Sequence, residues 1–169
     1  MGCLSDDDVA EAYRRYFPIV LRKSRRMLRG SNEAQDLAQE TFLRLWESRL
    51  DLRDARATTA WLYSTCTRLA IDRLRSPARR SDHVDEGAEA IASREADAED
   101  RSHHRHLLYE LAGVLPAPEM EAAVLSRVDG LNHQEIAQVL DVGERTVRRL
   151  LARADGRITR WRATRELAT

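Results

Sequence analysis

Lysine is almost missing from this chain. Lys23 stands alone among 28 basic residues, the rest being arginines. The base composition of the encoding genome explains such a bias more simply than a special need for guanidinium groups. Cysteine is nearly as scarce: Cys3 and Cys66 have no paired spacing and imply no disulfide framework. No apolar run approaches the ~20 residues needed to cross a bilayer. Met1 to Glu11 is acidic and lacks an apolar run, unlike a secretory signal. A cytoplasmic location, with no membrane contact of the chain's own, is the expectation. Strand signals are also lacking, with no sustained period-two alternation and no hairpin pair between β-branched runs. Aromatic residues make up only 5% of the chain. No nucleophile–base arrangement, phosphate loop or catalytic carboxylate pair is visible, so an enzyme is not expected and no cofactor is implied.

The formal net charge is zero, but the charge is unevenly spread. Residues 1–75 carry +3, residues 76–129 carry −6 and residues 130–169 carry +3. Two mildly basic ends flank an acidic middle, which gives two parts that can face a polyanion. At 169 residues with 43% hydrophobic and 33% charged side chains, small helical units fit better than one large sheet.

Helical periodicity runs through most of the chain. Residues 8–29 read as helix, with Pro18 expected to kink it or to begin a second one. Ser31 is a candidate N-cap for a helix over 32–48, with Leu37, Ala38, Thr41, Phe42 and Leu45 at helical spacing. Residues 50–57 read as a polar loop and 58–75 as a third helix, stopped by Pro77. Residues 76–100 are rich in Ala, Asp, Glu, Arg and Ser and hold no aromatic, which suits an acidic linker, part of it a solvated helix. A second unit should follow, with helices over 102–114, 118–128, 133–140 and 144–161. The expected fold is therefore all-α. Two small helical domains, 1–76 and 102–169, are joined by an acidic flexible linker over 77–101.

The sharpest local pattern lies at 134–147. Ala137 supplies the small residue that lets two helices approach. Ile136, Leu140, Val142, Val147 and Leu150 supply the contacts, and Asp141 to Gly143 the break, as in a helix-turn-helix. Asp141 tolerates a left-handed conformation better than most residues. The second helix would expose Glu144, Arg145, Arg148, Arg149 and Arg153, a set suited to guanine edges and phosphates in a major groove. Phosphate contact is the default for any single arginine there.

Three stretches carry a family resemblance. Asp36-Leu37-Ala38-Gln39-Glu40-Thr41-Phe42-Leu43-Arg44-Leu45-Trp46 resembles the polymerase-binding helix of extracytoplasmic-function sigma factors. Residues 60–75 resemble the helix with which that family engages the −10 element. Residues 111–154 resemble its C-terminal domain, through Leu115-Pro116, Asp129-Gly130-Leu131, Glu135-Ile136-Ala137, Thr146-Val147 and Arg153-Ala154. Together the resemblance covers about 10–75 and 105–160.

The resemblance implies a DNA-binding subunit that directs core RNA polymerase to promoter DNA, with an anti-sigma factor as a further partner. By matching positions, Asp36, Gln39, Glu40, Arg44 and Trp46 would meet the polymerase. Arg53, Arg56, Trp61, Thr67, Arg68, Arg73 and Arg75 would hold −10 DNA; Trp61 reads more naturally as core. Glu144, Arg145, Thr146, Arg148, Arg149 and Arg153 would meet the −35 duplex. Two departures bear on sequence preference. Arg68 stands where the family usually has an Asn that reads a flipped base, and Arg148-Arg149-Leu150 replaces its usual Lys or Arg, Ser and Arg.

Two rival readings remain at this point: a stand-alone helix-turn-helix regulator, and a degenerate sigma-like protein that binds an anti-sigma factor. His103, His104 and His106 also cluster. Their spacing does not bring all three to one helix face, so no metal site is expected.

Overall fold

The computed structural model describes residues 6–28, 30–48, 50–76 and 95–167. Seven helices occur among them: α1 (Asp6–Met27), α2 (Ser31–Glu47), α3 (Ala55–Arg75), α4 (Glu95–Val114), α5 (Ala117–Arg127), α6 (His133–Leu140) and α7 (Glu144–Glu166). No strand occurs among the described residues. Cys3 and most of the expected linker lie outside them.

α1 is one helix that runs through Pro18. Proline frees the carbonyl four residues back, here that of Arg14. Pro18 and Arg14 both face solvent, where that carbonyl can be hydrated. The cap of α2 is Gly30, and Ser31 is already helical, which corrects the expected N-cap by one residue. α3 begins earlier than its apolar pattern suggests. The Asp54 carboxylate accepts from the backbone N–H groups of Arg56 and Ala57, both at 3.0 Å, and so nucleates the helix inside the expected polar loop. α4 likewise begins at Glu95, inside the acidic stretch.

In the first half, Tyr13, Phe17 and Phe42 form an aromatic cluster that ties α1 to α2, with Tyr13 and Phe17 stacked at 4.3 Å. Leu37, Leu45, Leu62 and Ile71 are fully buried around it. In the second half, Leu125, Ile136 and Val147 lock α5, α6 and α7 together. Gly130, at φ +72°, makes the left-handed turn after α5. Its turn is closed by the Leu131 N–H donating to the Leu125 carbonyl at 3.0 Å. Asn132 and Glu135 form a reciprocal capping box at the start of α6.

The two halves are packed together. One face of α3 lies on α1 and α2, and another meets α4, α5 and α6. One continuous cluster of buried side chains runs from Leu62 and Leu69 to Leu108, Leu111, Met120 and Val124. Composition alone offers no sign of this, because the contacts join residues far apart in the chain.

Candidate DNA and polymerase interfaces

Three surfaces carry the residues singled out from the sequence. The first is the outer face of α2. Leu37, Phe42 and Leu45 are buried, so Asp36, Gln39, Leu43 and Trp46 are turned outward. Leu43 is 65% exposed and Trp46 55%. Leu43 lies four residues after Gln39 and three before Trp46, on one helix face. The sequence reading missed it; the signal was an apolar residue at the spacing of the polar outer positions. Glu40 is shared between Arg44 at 2.9 Å and Arg73 at 2.7 Å.

The second surface is α3 with the loop before it. Arg53, Arg56 and Arg68 are exposed. The structure does not bring the other candidates to this surface. Thr67 is buried, and its hydroxyl donates to the Tyr63 carbonyl at 2.7 Å. Trp61 is half-buried and packs on the core, as its helical position suggests. Arg73 turns back to α2, donating to the Glu33 carbonyl and to Glu40. Arg75 donates to the carbonyls of Ala112 and Leu115, at 3.0 and 2.6 Å, and so clamps the end of α4.

Across the same surface the second half of the chain is seated. Arg56 Nε donates to Gln138 Oε1 at 2.9 Å, and Arg68 Nε to Glu121 Oε2 at 3.1 Å. Deeper in, Lys23 and Asp129 form an ion pair whose side chains are 3% and 2% exposed. Lys23 Nζ also lies 5.1 Å from the Tyr63 ring centroid. Burial and the nearby Asp129 carboxylate push the Tyr63 hydroxyl above its ordinary range. Burial raises the Cys66 thiol too, and outweighs Lys23 and the hydrogen bond with Ser24.

The third surface is the start of α7. Val147, Leu151, Ala154 and Ile158 are buried, which turns Glu144, Arg145, Arg148, Arg149 and Arg153 to solvent. Thr146 is half-buried. Arg145 to Arg153 covers about 12 Å of helix axis at the α-helical rise, close to the width of a major groove. The turn before this helix holds Asp141 at φ +52°, with the Val142 N–H donating to the Ala137 carbonyl at 3.0 Å. Gly143 is the N-cap. α7 also runs farther than the apolar pattern suggests. Its last turns are tied to α4 by Arg165, which pairs with Glu110 and lies 5.0 Å from the Trp161 ring.

His103 and His104 are exposed on α4, and His106 Nε2 is 3.5 Å from a Glu110 carboxylate oxygen. Among the described residues, no group of three or more His, Cys, Asp or Glu side chains is placed to hold a metal ion. No helix among them is long and apolar enough to cross a membrane.

Comparison with known proteins matches both halves of the chain. Residues 12–80 match Sigma-70 region 2, and residues 105–154 match Sigma-70, region 4. The RNA polymerase sigma factor CarQ of Myxococcus xanthus is 34% identical over 137 residues, 78% of this chain and 76% of that protein. The ferric citrate uptake sigma factor FecI of Escherichia coli is 31% identical, and 76% of each chain is covered. The ECF RNA polymerase sigma factor SigE of Mycolicibacterium smegmatis is 30% identical over 142 residues, but this chain spans only 55% of its length. The fold is similar to that of CnrH in its complex with the cytosolic domain of CnrY. The TM-score there is 0.57 at 19% identity, covering 92% of this chain and 88% of the other. With both regions present in order and relatives matched across most of its length, the chain belongs to the extracytoplasmic-function sigma factors.

Proposed function

We infer that this chain is a promoter-specificity subunit. It binds core RNA polymerase through the outer face of α2, engages −10 DNA through α3 and its preceding loop, and engages −35 duplex through the start of α7. Residues 1–76 and 102–169 serve as the two working domains, joined by the linker over 77–101, and the chain acts in the cytoplasm without catalysing a reaction of its own. The observation that carries this reading is the exposed pair Leu43 and Trp46 beside Asp36 and Gln39, in the same chain as an arginine-faced helix-turn-helix. A stand-alone DNA-binding regulator has no use for the α2 face. An exposed aromatic–aliphatic anchor rimmed by carboxylates suits a basic, partly apolar partner helix.

On α3 and the loop before it, the exposed side chains Arg53, Arg56 and Arg68 meet a single-stranded backbone, Arg56 and Arg68 exchanging Gln138 and Glu121 for phosphates. Arg68 is donor-only, unlike the Asn usual at this place, so it favours acceptor-rich base edges or phosphates. On α7, Arg145, Arg148, Arg149 and Arg153 meet groove edges and phosphates, with Glu144 and Thr146 at the helix entrance. An anti-sigma factor is the further partner, consistent with the CnrH–CnrY complex.

The experiment is transcription in vitro. The chain is added to sigma-free core polymerase on a pool of promoter fragments from its own genome. Specific transcripts are expected, and their start sites give the −10 and −35 sequences. A stable complex with core but no transcripts would support a degenerate sigma-like protein instead. No complex with core would leave a stand-alone DNA-binding protein.

A further inference from the structure

Away from the three surfaces above, a cleft of about 990 Å³ opens where the end of α1, the start of α2, α4 and the end of α5 meet. Five arginines line it: Arg22, Arg25 and Arg26 from α1, Arg105 from α4 and Arg127 from α5. No carboxylate among the described residues lines it. Arg25 and Arg26 follow Arg22 by three and four residues, so the three share one side of α1. Arg25 and Arg26 also suit the carbonyl end of their own helix. That leaves Arg22, Arg105 and Arg127, which come from three helices and converge on the same space.

The floor of the cleft is apolar: Leu28 is buried, and Leu107 and Val128 are half-buried. Gly30 and Ser31 form one edge, and Gly30 brings no capping side chain to the start of α2. The positive end of that helix therefore lies at the same edge. His103 and His104, exposed on α4, also line the cleft. The cations are not all consumed by protein partners. Arg127 pairs with Asp155, and Arg26 donates to the Val128 carbonyl at 3.3 Å. Arg22 and Arg25 are exposed and make no ion pair or hydrogen bond among the described residues.

Five cations around an apolar floor suit a ligand with several negative charges on a small body and one flat apolar part. A phosphate meets a guanidinium fork with two oxygens at once. A polyphosphate chain concentrates its charges within a few ångströms, whereas the carboxylates of an acidic helix are strung out along its axis. The volume stands at the upper end of the range for small-molecule sites, about 300–1,000 Å³. We propose that this cleft binds a nucleoside polyphosphate, with its phosphates on the five arginines and its base on Leu28, Leu107 and Val128. The site draws on both halves of the chain, so only the folded chain binds. None of its lining residues belongs to the surfaces assigned to polymerase and DNA, so the site stands apart from the promoter-binding reading.

The test uses the full chain with ATP, AMP and inorganic tripolyphosphate as probes, in magnesium-free buffer. Titration calorimetry reads affinity, and a thermal melt reads stabilisation, since a ligand that binds only the folded form raises the midpoint. ATP should bind saturably. It should bind at least about tenfold more tightly than AMP, through added charge-assisted bonds, and about fivefold more tightly than tripolyphosphate, through its base. The double variant Arg22→Gln, Arg25→Gln should weaken ATP binding at least about tenfold. Arg160→Gln removes an exposed arginine outside the lining and should leave ATP affinity within about twofold. Photolabelling of the unaltered chain with azido-ATP should mark residues 22–31 or 103–107, and it decides the matter if the double variant fails to fold. No saturable binding, an equal loss in the Arg160→Gln control, ATP no tighter than tripolyphosphate, or label placed elsewhere would overturn the proposal. So would a single-stranded DNA or an acidic peptide that binds more tightly than ATP through the same two arginines, which would assign the cleft to a macromolecule.

Discussion

Lys23 and Asp129 are 106 residues apart in sequence and form an ion pair almost entirely withdrawn from solvent. The only lysine of the chain thus sits on α1 with its charge met by the turn after α5. The desolvation of two charges is costly, and such a pair is secure only while both members are present. Around it, Tyr63 supplies the face of its ring and Arg26 a second bond across the junction.

Removal of one partner should therefore be far more damaging than removal of both. Asp129→Ala is expected to cost about 3 kcal/mol, because Lys23 is left buried and uncompensated. The double variant Lys23→Met, Asp129→Leu should recover most of that loss. Urea unfolding of the two single variants and the double variant checks this; equal and additive losses would show that the pair is not coupled.

Leu43 and Trp46 contribute little to folding, since both are largely exposed. The double variant Leu43→Ala, Trp46→Ala should leave the thermal midpoint within a degree or two of the parent. Its affinity for core polymerase should fall at least tenfold, as for truncation of an aromatic anchor at an interface centre. Surface-immobilised core and a thermal melt supply the two readings. A large fall in the melt with unchanged core binding would assign these side chains to folding instead.

Arg149→Ala separates phosphate contact from base reading. If Arg149 neutralises one phosphate, the slope of log affinity against log salt should fall in magnitude by about 0.9, with all duplex sequences weakened alike. If it reads a base edge, discrimination at one position should drop by about 1–3 kcal/mol. Titrations over a salt series, on the selected promoter and on single-base variants of it, distinguish the two.

Stability should decline on the alkaline side, and the sign follows from Cys66 and Tyr63. Both groups are held neutral in the fold, with proton affinities raised above their ordinary values of 9.0 and 10.0. Their contribution is complete below the pH at which the unfolded chain ionises. It is lost as pH rises from there through the higher folded values. Denaturation midpoints measured from pH 7 to pH 11 should fall, and Cys66→Ala should flatten the earlier part of that fall. In the native state near pH 8, Cys66 should react with an alkylating reagent far more slowly than in urea, since both burial and a scarce thiolate oppose attack.

Much of this protein was legible from side-chain spacing alone. The helical periods of 32–48 and 58–75, and the sequence from Gln134 to Val147, determined helices and a helix-turn-helix, because a buried stripe repeats along one element and needs no distant partner to be seen. The left-handed Asp141, the Gly143 cap and the outward arginines of α7 are of this local kind. So is the family, which rests on ordered motifs. Boundaries were less legible where a single side chain outweighs the pattern: Asp54 starts α3 ahead of its apolar residues, and Gly30 rather than Ser31 caps α2.

Only the tertiary structure decided which candidates are available. Thr67 faces inward, and Arg73 and Arg75 are spent on carbonyls and a carboxylate of other helices, while Leu43 is left outside. It alone brought Asp129 to Lys23, Glu121 to Arg68 and Gln138 to Arg56. An arginine at a given helical position reads the same whether it faces water, a carbonyl or a carboxylate. Its partner is fixed by how whole helices pack, and that packing depends on summed burial across the molecule rather than on any local spacing.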